Sequence, residues 1–279
     1  MPILTIALLT LREATRRRVL GVLAIASVVV VGLSVWGFAK LTGSMPQEAA
    51  IGIESVLVVL LAFAFSVVLA IAAAFLGSPA VAGDVDSGIA LALLPRPLSR
   101  TQFVLGKWLG LATLLVVFTF AVGALEFVAI GIAAGYHPPH PALALVYLCA
   151  ETLASLTFAL LASTRLPAIA GGILAVAAFG GSWIAGITAG IASSLHNDGV
   201  QQGATAIGLL LPTDGLWRGA TFELQPVALM LAQEQAGRAG GPNPFSVTSP
   251  PAGAFLAWSA CWGIALLAGA CYSFSRRDI

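Results

Sequence analysis

Six long apolar stretches constrain this chain more than any other feature: Val19–Ala39, Ser55–Leu76, Phe103–Ala134, Ala142–Ser163, Ala168–Ala192 and Gly253–Phe274. About 20 consecutive apolar residues suffice to cross the hydrocarbon of a bilayer as a helix. The runs are continuous rather than alternating, so they predict helices and not the strands of a membrane barrel. Composition agrees: 59% of the 279 residues are apolar and 9% are charged, against about 25% charged in a soluble domain. So few charges would not cover a soluble globule, which argues against a soluble enzyme, a nucleic-acid binder and a disordered chain. The expected fold class is an all-α integral membrane protein with six transmembrane helices.

Lysine and arginine set the expected orientation. With six spans both termini share one side, which holds Arg12, Arg16, Arg17, Arg18, Arg96, Arg100, Lys107, Arg165, Arg276 and Arg277, against Lys40, Arg218 and Arg238 on the other. The positive-inside rule puts both termini in the cytoplasm. The start is apolar (Ile3–Leu11) with Arg16-Arg17-Arg18 behind it, the reverse of a cleaved signal peptide. The three cysteines, Cys149, Cys261 and Cys271, fall within apolar runs; they read as small buried hydrophobes, with no disulfide framework or metal spacing. Span five is dense in glycine, from Gly171 to Gly190, which predicts a closely packed interior helix.

Three segments outside the spans carry information. Residues Pro2–Arg17 repeat Ile3, Leu4, Leu8 and Leu11 at roughly helical spacing, with Arg12, Glu13, Arg16 and Arg17 supplying charge. That pattern fits an amphipathic helix lying in the membrane interface. Gly77–Lys107 is polar at Asp84, Asp86 and Gly88 and broken at Pro95 and Pro97, so it reads as a cytoplasmic segment. Its apolar run Ile89–Leu94, with Leu91 and Leu94, faces water in that reading and calls for a protein partner. The connection Ser193–Ala252 lies outside. Ala204–Leu211 and Val227–Ala232 there predict short helices folded back into the outer leaflet or capping the outer mouth. Pro212 and Gly215 are expected to break any helix between them, and Asp214 to cap the next one.

Glu126 and Glu151 fall inside spans three and four. Intramembrane carboxylates are costly and mark substrate or proton paths, or cross-bonds between helices. His137 and His140 flank an outer turn and read as solvated. The sequence contains no H-E-x-x-H, G-x-S-x-G or Walker A pattern, so no metal site, cofactor or ATP site of its own is expected.

These parts in this order resemble the ABC-2 class of ABC-exporter permeases, most nearly the branch associated with nitrous oxide reductase maturation. The resemblance rests on Asp84, Asp86 and Ser87-Gly88, then Leu91–Leu94, Pro97-Leu98-Ser99-Arg100 and Gly106-Lys107. Pro212-Thr213-Asp214 followed by Trp217 and Arg218, and the terminal Phe274-Ser275-Arg276-Arg277-Asp278, extend it over nearly the whole chain. Ile89 departs from it, standing where the family usually has Thr.

The resemblance implies a single transmembrane domain over residues 1–279. Within it, residues 1–18 would form an elbow helix containing Arg12, Glu13, Arg16 and Arg17. Residues 77–103 would form a coupling segment, its helix around Val81–Leu94, with Asp84, Asp86, Gly88, Leu91, Leu94, Pro97, Arg100 and Lys107 serving ATPase coupling. Residues 193–252 would carry an external gate at Pro212, Asp214, Trp217 and Arg218. It also implies two ATP-binding subunits holding ATP–Mg, and a second permease chain, identical or paralogous, in the cell membrane. An ion-coupled transporter or channel working through Glu126 and Glu151 is the competing reading.

Overall fold

A computed structural model describes residues 2–16, 18–41, 47–88, 99–226, 247 and 249–277. Among them there are helices and connecting turns but no strand. In chain order the helices are α1 (Pro2–Arg16), α2 (Arg18–Leu41), α3 (Gln47–Gly77), α4 (Pro79–Asp86), α5 (Arg100–Ala134), α6 (Pro141–Ser163), α7 (Ala168–Ser194), α8 (Asp198–Leu210), α9 (Thr213–Leu224) and α10 (Gly253–Ser275).

Five helices among the described residues are long and apolar enough to cross a membrane: Val56–Asp86, Arg100–Ala133, Pro141–Ser163, Ala168–Ser193 and Gly253–Ser275. They contain or closely match five of the six expected spans. The first expected span falls within the 24 residues of α2, whose apolar stretch runs Gly21–Gly37.

Helix α6 is the hub. It packs against α3, α5, α7, α9 and α10 and buries Leu145, Leu148, Leu156 and Leu160. Two apolar clusters stack along it. One, toward the end where α5 begins, joins Leu76, Phe103, Leu156, Leu160 and Phe274. The other, toward the end where α6 begins, joins Phe65, Leu145, Leu148, Trp217 and Leu224. Burying side chains of this size contributes about 1.5–3 kcal/mol each when the alternative is water. Inside a membrane the same contacts act instead through close packing.

Helix α1 shows how small residues admit a neighbour. It buries Ile6, Ala7, Thr10 and Ala14, one face of a 3.6-residue period, and that face lies on α5. A Cβ added at Gly106 would overlap Ile6, and one at Gly110 would overlap the Ala7 carbonyl. The opposite face presents Leu4, Leu8 and Leu9, each more than half exposed, as an interfacial helix requires.

The helix expected around Val81–Leu94 begins earlier, at Pro79, and four other expectations are corrected. The stretch Pro79–Asp86 is helical, continuing α3 after Ser78 with Pro79 in its first turn, where a proline is tolerated because its missing N–H would be unpaired anyway. Ala80, Val81 and Ala82 are buried, so this part of the expected coupling segment faces the bundle. Gly215 lies within α9 rather than ending it: the Phe255 ring occupies the space where its Cβ would stand. Asp214 accordingly sits in the first turn of α9, with Pro212 at the N-cap. Helix α7 is not enclosed: Gly180, Gly181 and Gly190 meet nothing within 4 Å of a would-be Cβ, and Ile169 is 80% exposed. Its Gly171, Gly172 and Gly186 do contact neighbours, so it packs along one face only. Cys149 and Cys271 are buried as expected, whereas Cys261 is exposed.

Candidate functional site

Polar groups collect in three places: at the end of the bundle where α5 begins, at mid-height, and along a helical hairpin at the far end. The first is an ion cluster assembled from three helices. Lys107 Nζ of α5 lies 2.7 Å from Asp84 Oδ2 of α4 and 3.4 Å from Glu13 Oε2 of α1. The side chains of Lys107 and Asp84 are 8% and 6% exposed, so this contact is internal. Buried charges persist only when paired, because stripping water from an ion costs several kcal/mol. Phe103 contributes a ring 5.7 Å from the ammonium, a cation–π contact.

Arginines close the same end. Arg100 donates to the carbonyls of Ser275 and Arg277. Arg165 donates to Ser273 Oγ at 2.9 Å and to its carbonyl at 3.2 Å. Arg277 donates to the Thr164 carbonyl at 2.9 Å. Each guanidinium thus satisfies carbonyls left open where a helix ends, and its charge suits the negative end of the helix dipole. Ser99 opens α5 with a capping box shared with Gln102, which stabilises a start that has to hold Arg100 in place.

At mid-height both expected carboxylates are buried. Ser66 of α3 donates to Glu151 Oε1 at 2.6 Å, and Glu151 is 2% exposed. Glu126, 3% exposed, lies among Val58, Phe65, Phe127, Leu145 and Leu148. Glu151 therefore cross-bonds two helices.

The third group lies on the hairpin of α8 and α9. Ser182, midway along α7, donates its hydroxyl to the Leu211 carbonyl at 2.6 Å and accepts from the Asp214 amide at 3.3 Å. The turn between α8 and α9 therefore reaches the middle of the bundle. The hairpin's ends stay at the far end: α8 starts just after α7, and His140, preceding α6, donates its amide to the Glu223 carbonyl at 3.1 Å. His140 Nδ1 is also 3.0 Å from Glu223 Oε2, and Tyr136 donates to the Leu224 carbonyl at 2.9 Å. On α9, Arg218 Nε donates to Asp214 Oδ2 at 2.7 Å. Trp217 is buried, edge-on to Phe63, which stacks in turn on Trp183.

The structure thus unites Glu13, Asp84 and Lys107, sets Arg100 against the end of α10, and puts Pro212, Asp214, Trp217 and Arg218 on one re-entrant hairpin. Arg12 and Asp86 are exposed, and Gly88 is partly buried with φ 74°, the left-handed region that glycine occupies without strain. Leu91, Leu94 and Pro97, with the run Ile89–Leu94, lie outside the described residues, as do Arg17 and Val227–Ala232; Arg16 is described by its backbone alone. Sequence reasoning missed Ser66, Ser182 and Tyr136. A hydroxyl inside an apolar run gives no local sign of the partner it will meet from another helix.

A family model described as ABC-2 family transporter protein matches residues 4–279. A search of curated proteins found no match. With the family model covering nearly its full length, the chain belongs to the ABC-2 transporter family: it is a multi-pass membrane permease of an ABC transporter, without an ATPase of its own and partnered by an ABC ATPase subunit.

Proposed function

We propose that this permease is an exporter subunit in the cell membrane, with both termini in the cytoplasm, working as a pair of permease chains with two ATPase subunits that bind ATP–Mg. The pair is either two copies of this chain or this chain with a paralogue, and the nitrous oxide reductase-associated branch is the one we assign. Helix α1 acts as the elbow, and the segment running from α4 through Ile89–Leu94 couples to the ATPase. The α8–α9 hairpin, carrying Pro212, Asp214, Trp217 and Arg218, acts as the outer gate.

The observation that carries this reading is the Glu13–Asp84–Lys107 cluster. It ties the elbow and the coupling segment to one membrane-spanning helix. A push delivered at the coupling segment then displaces α1 and α5 together, because packed elements shift as rigid bodies between discrete arrangements. Asp84 and Lys107 do this from inside the bundle, leaving Asp86 and the apolar run beyond it to meet the ATPase.

Affinity purification in mild detergent, with identification of every co-eluting chain and an ATPase assay, tests the assignment. The expected result is a stoichiometric ATP-binding partner that disappears when Leu91 and Leu94 are both replaced by Asp. A preparation that reproducibly carries no such partner at native expression levels would sink it. The ion-coupled reading would then take its place, with Glu126 and Glu151 as the residues to change.

A further inference from the structure

A cavity of about 360 Å³ opens between α7, α8 and α9, within the size range of small-molecule sites. Its wall is more polar than those of the two larger hollows, one beside Tyr147 and Leu267 and one beside Ile71 and Ile173. Ser193 of α7, Gln201 and Thr205 of α8, and Asp214 and Arg218 of α9 contribute polar groups to its wall. Space for it comes from glycine: Gly190 and Gly208 line it, and a Cβ at either would meet nothing within 4 Å.

The ion pair in this wall is only half engaged. Asp214 is 8% exposed; its Oδ2 accepts from Arg218 Nε at 2.7 Å, while its Oδ1 is buried without a hydrogen-bond partner. Arg218 spends only Nε on the carboxylate, and its two terminal amino groups make no hydrogen bond among the described residues. A purely structural pair would close as a two-pronged fork. This one leaves an acceptor and a donor edge for a third party. Leaving a buried charged oxygen unsatisfied is expensive, so a group that completes it gains that energy.

We propose that this cavity binds a small zwitterion, its ammonium on Asp214 Oδ1 and its carboxylate or phosphate on the free edge of Arg218. The wall itself is neutral, one acid against one base. A ligand with net charge would arrive with an uncompensated charge at a depth where water screens poorly. A ligand carrying both charges on adjacent atoms matches both open edges and brings none in excess. Gln201, Thr205 and Ser193 can serve further polar atoms of the ligand. The same chemistry is offered by a free amino acid and by a zwitterionic lipid headgroup. The site shares Asp214 and Arg218 with the proposed gate and rests on that reading only for what binding does to transport.

The test is equilibrium binding to the purified full chain in mild detergent with no ATPase present, so its result is independent of the coupling assignment. The probes are radiolabelled L-alanine and radiolabelled dihexanoyl phosphatidylethanolamine, with L-lactate and L-alanine methyl ester as competitors lacking one charge each. At least one zwitterion is expected to bind saturably, with both competitors at least tenfold weaker. Binding of alanine alone marks a free solute as the source, and binding of the lipid alone marks a headgroup. Asp214→Asn and Arg218→Gln are each expected to weaken binding at least tenfold. Gly190→Leu, which fills the cavity without touching the ion pair, should abolish it, and it decides the matter if the charge variants misfold. Absence of saturable binding by either zwitterion, equal competition by lactate, or wild-type affinity in Gly190→Leu would each overturn the proposal. Loss of an ATPase partner in the purification described above would leave this result untouched.

Discussion

The two ends of the bundle use charge in opposite ways. At the end where α5 begins, three helices contribute one charged group each, so the Glu13–Asp84–Lys107 cluster cannot form unless α1, α4 and α5 are all in place. On the hairpin, Asp214 and Arg218 pair within one turn of α9, four residues apart. That pair stabilises its own helix, as i,i+4 pairs do, and fastens it to nothing. Apart from the exposed His140 ring beside the Glu223 carboxylate, what holds the hairpin is neutral: the Ser182, Tyr136 and His140 backbone-directed hydrogen bonds, the close approach of Asp214 to Gly186, and the packing of Trp217. A cluster shared among elements transmits displacement, whereas an element held by hydrogen bonds and shape moves at lower cost. The contrast supports the proposed drive at one end and the proposed gate at the other.

Lys107 offers the largest test. Replacing it with Met leaves Asp84 buried without its cation, and breaking a buried pair from one side typically costs about 3–5 kcal/mol. Thermal unfolding in detergent should fall steeply for Lys107→Met and recover in part for the double variant with Asp84→Asn, which removes both charges. By contrast, Arg218→Gln on the hairpin should lower the unfolding temperature less than Lys107→Met, since Arg218 is 25% exposed where Lys107 is 8% and the glutamine amide still offers Asp214 a donor. Equal shifts in the two variants would erase the distinction between the ends.

Glycine contacts sharpen the comparison at smaller magnitude. A Cβ at Gly106 would overlap Ile6 of α1, and one at Gly186 would overlap the Asp214 carboxylate. Overpacking of this kind typically costs about 1–3 kcal/mol, so Gly106→Val and Gly186→Val should unfold at comparably lowered temperatures. Their consequences should part in the purification assay. Gly106→Val pushes α1 off α5 and, if α1 is the proposed elbow, should weaken retention of the ATPase, while Gly186→Val displaces the hairpin and should leave the partner bound. Equal retention in both would detach α1 from the coupling assignment.

The sequence made the spans legible because a helix in hydrocarbon has to be apolar along its whole length, which leaves a continuous signal. It also marked Glu13, Asp84, Lys107, Glu151 and Asp214 as residues of interest. It did not show which of them meet, since Glu13 and Lys107 are 94 positions apart and pair only after α1 folds back along α5. The depth of the hairpin was hidden for a related reason. Thr213, Asp214 and Gly215 look like a surface turn when read locally, yet Ser182 satisfies the exposed backbone of that turn in mid-bundle and Phe255 fills the space above the glycine. The open face of α7 was misread because small residues announce that a neighbour can approach, not that one is present.

The smallest effect tests the hairpin's outer anchor. Tyr136 is 6% exposed and donates to the Leu224 carbonyl at the last turn of α9. Tyr136→Phe keeps the ring and removes only that donor, so the loss should be about 0.5–1.5 kcal/mol, the net worth of one hydrogen bond. The His140 amide still binds the Glu223 carbonyl next to it, which keeps the helix end attached and limits the damage. Hydrogen exchange should therefore quicken in α9 while α1 and α4 stay as protected as before, because they pack at the opposite end of the bundle. If protection fell at both ends together, the hairpin would be coupled to the ion cluster through the bundle. It would then share in the rigid movement proposed for the cluster, not act as a separately held gate.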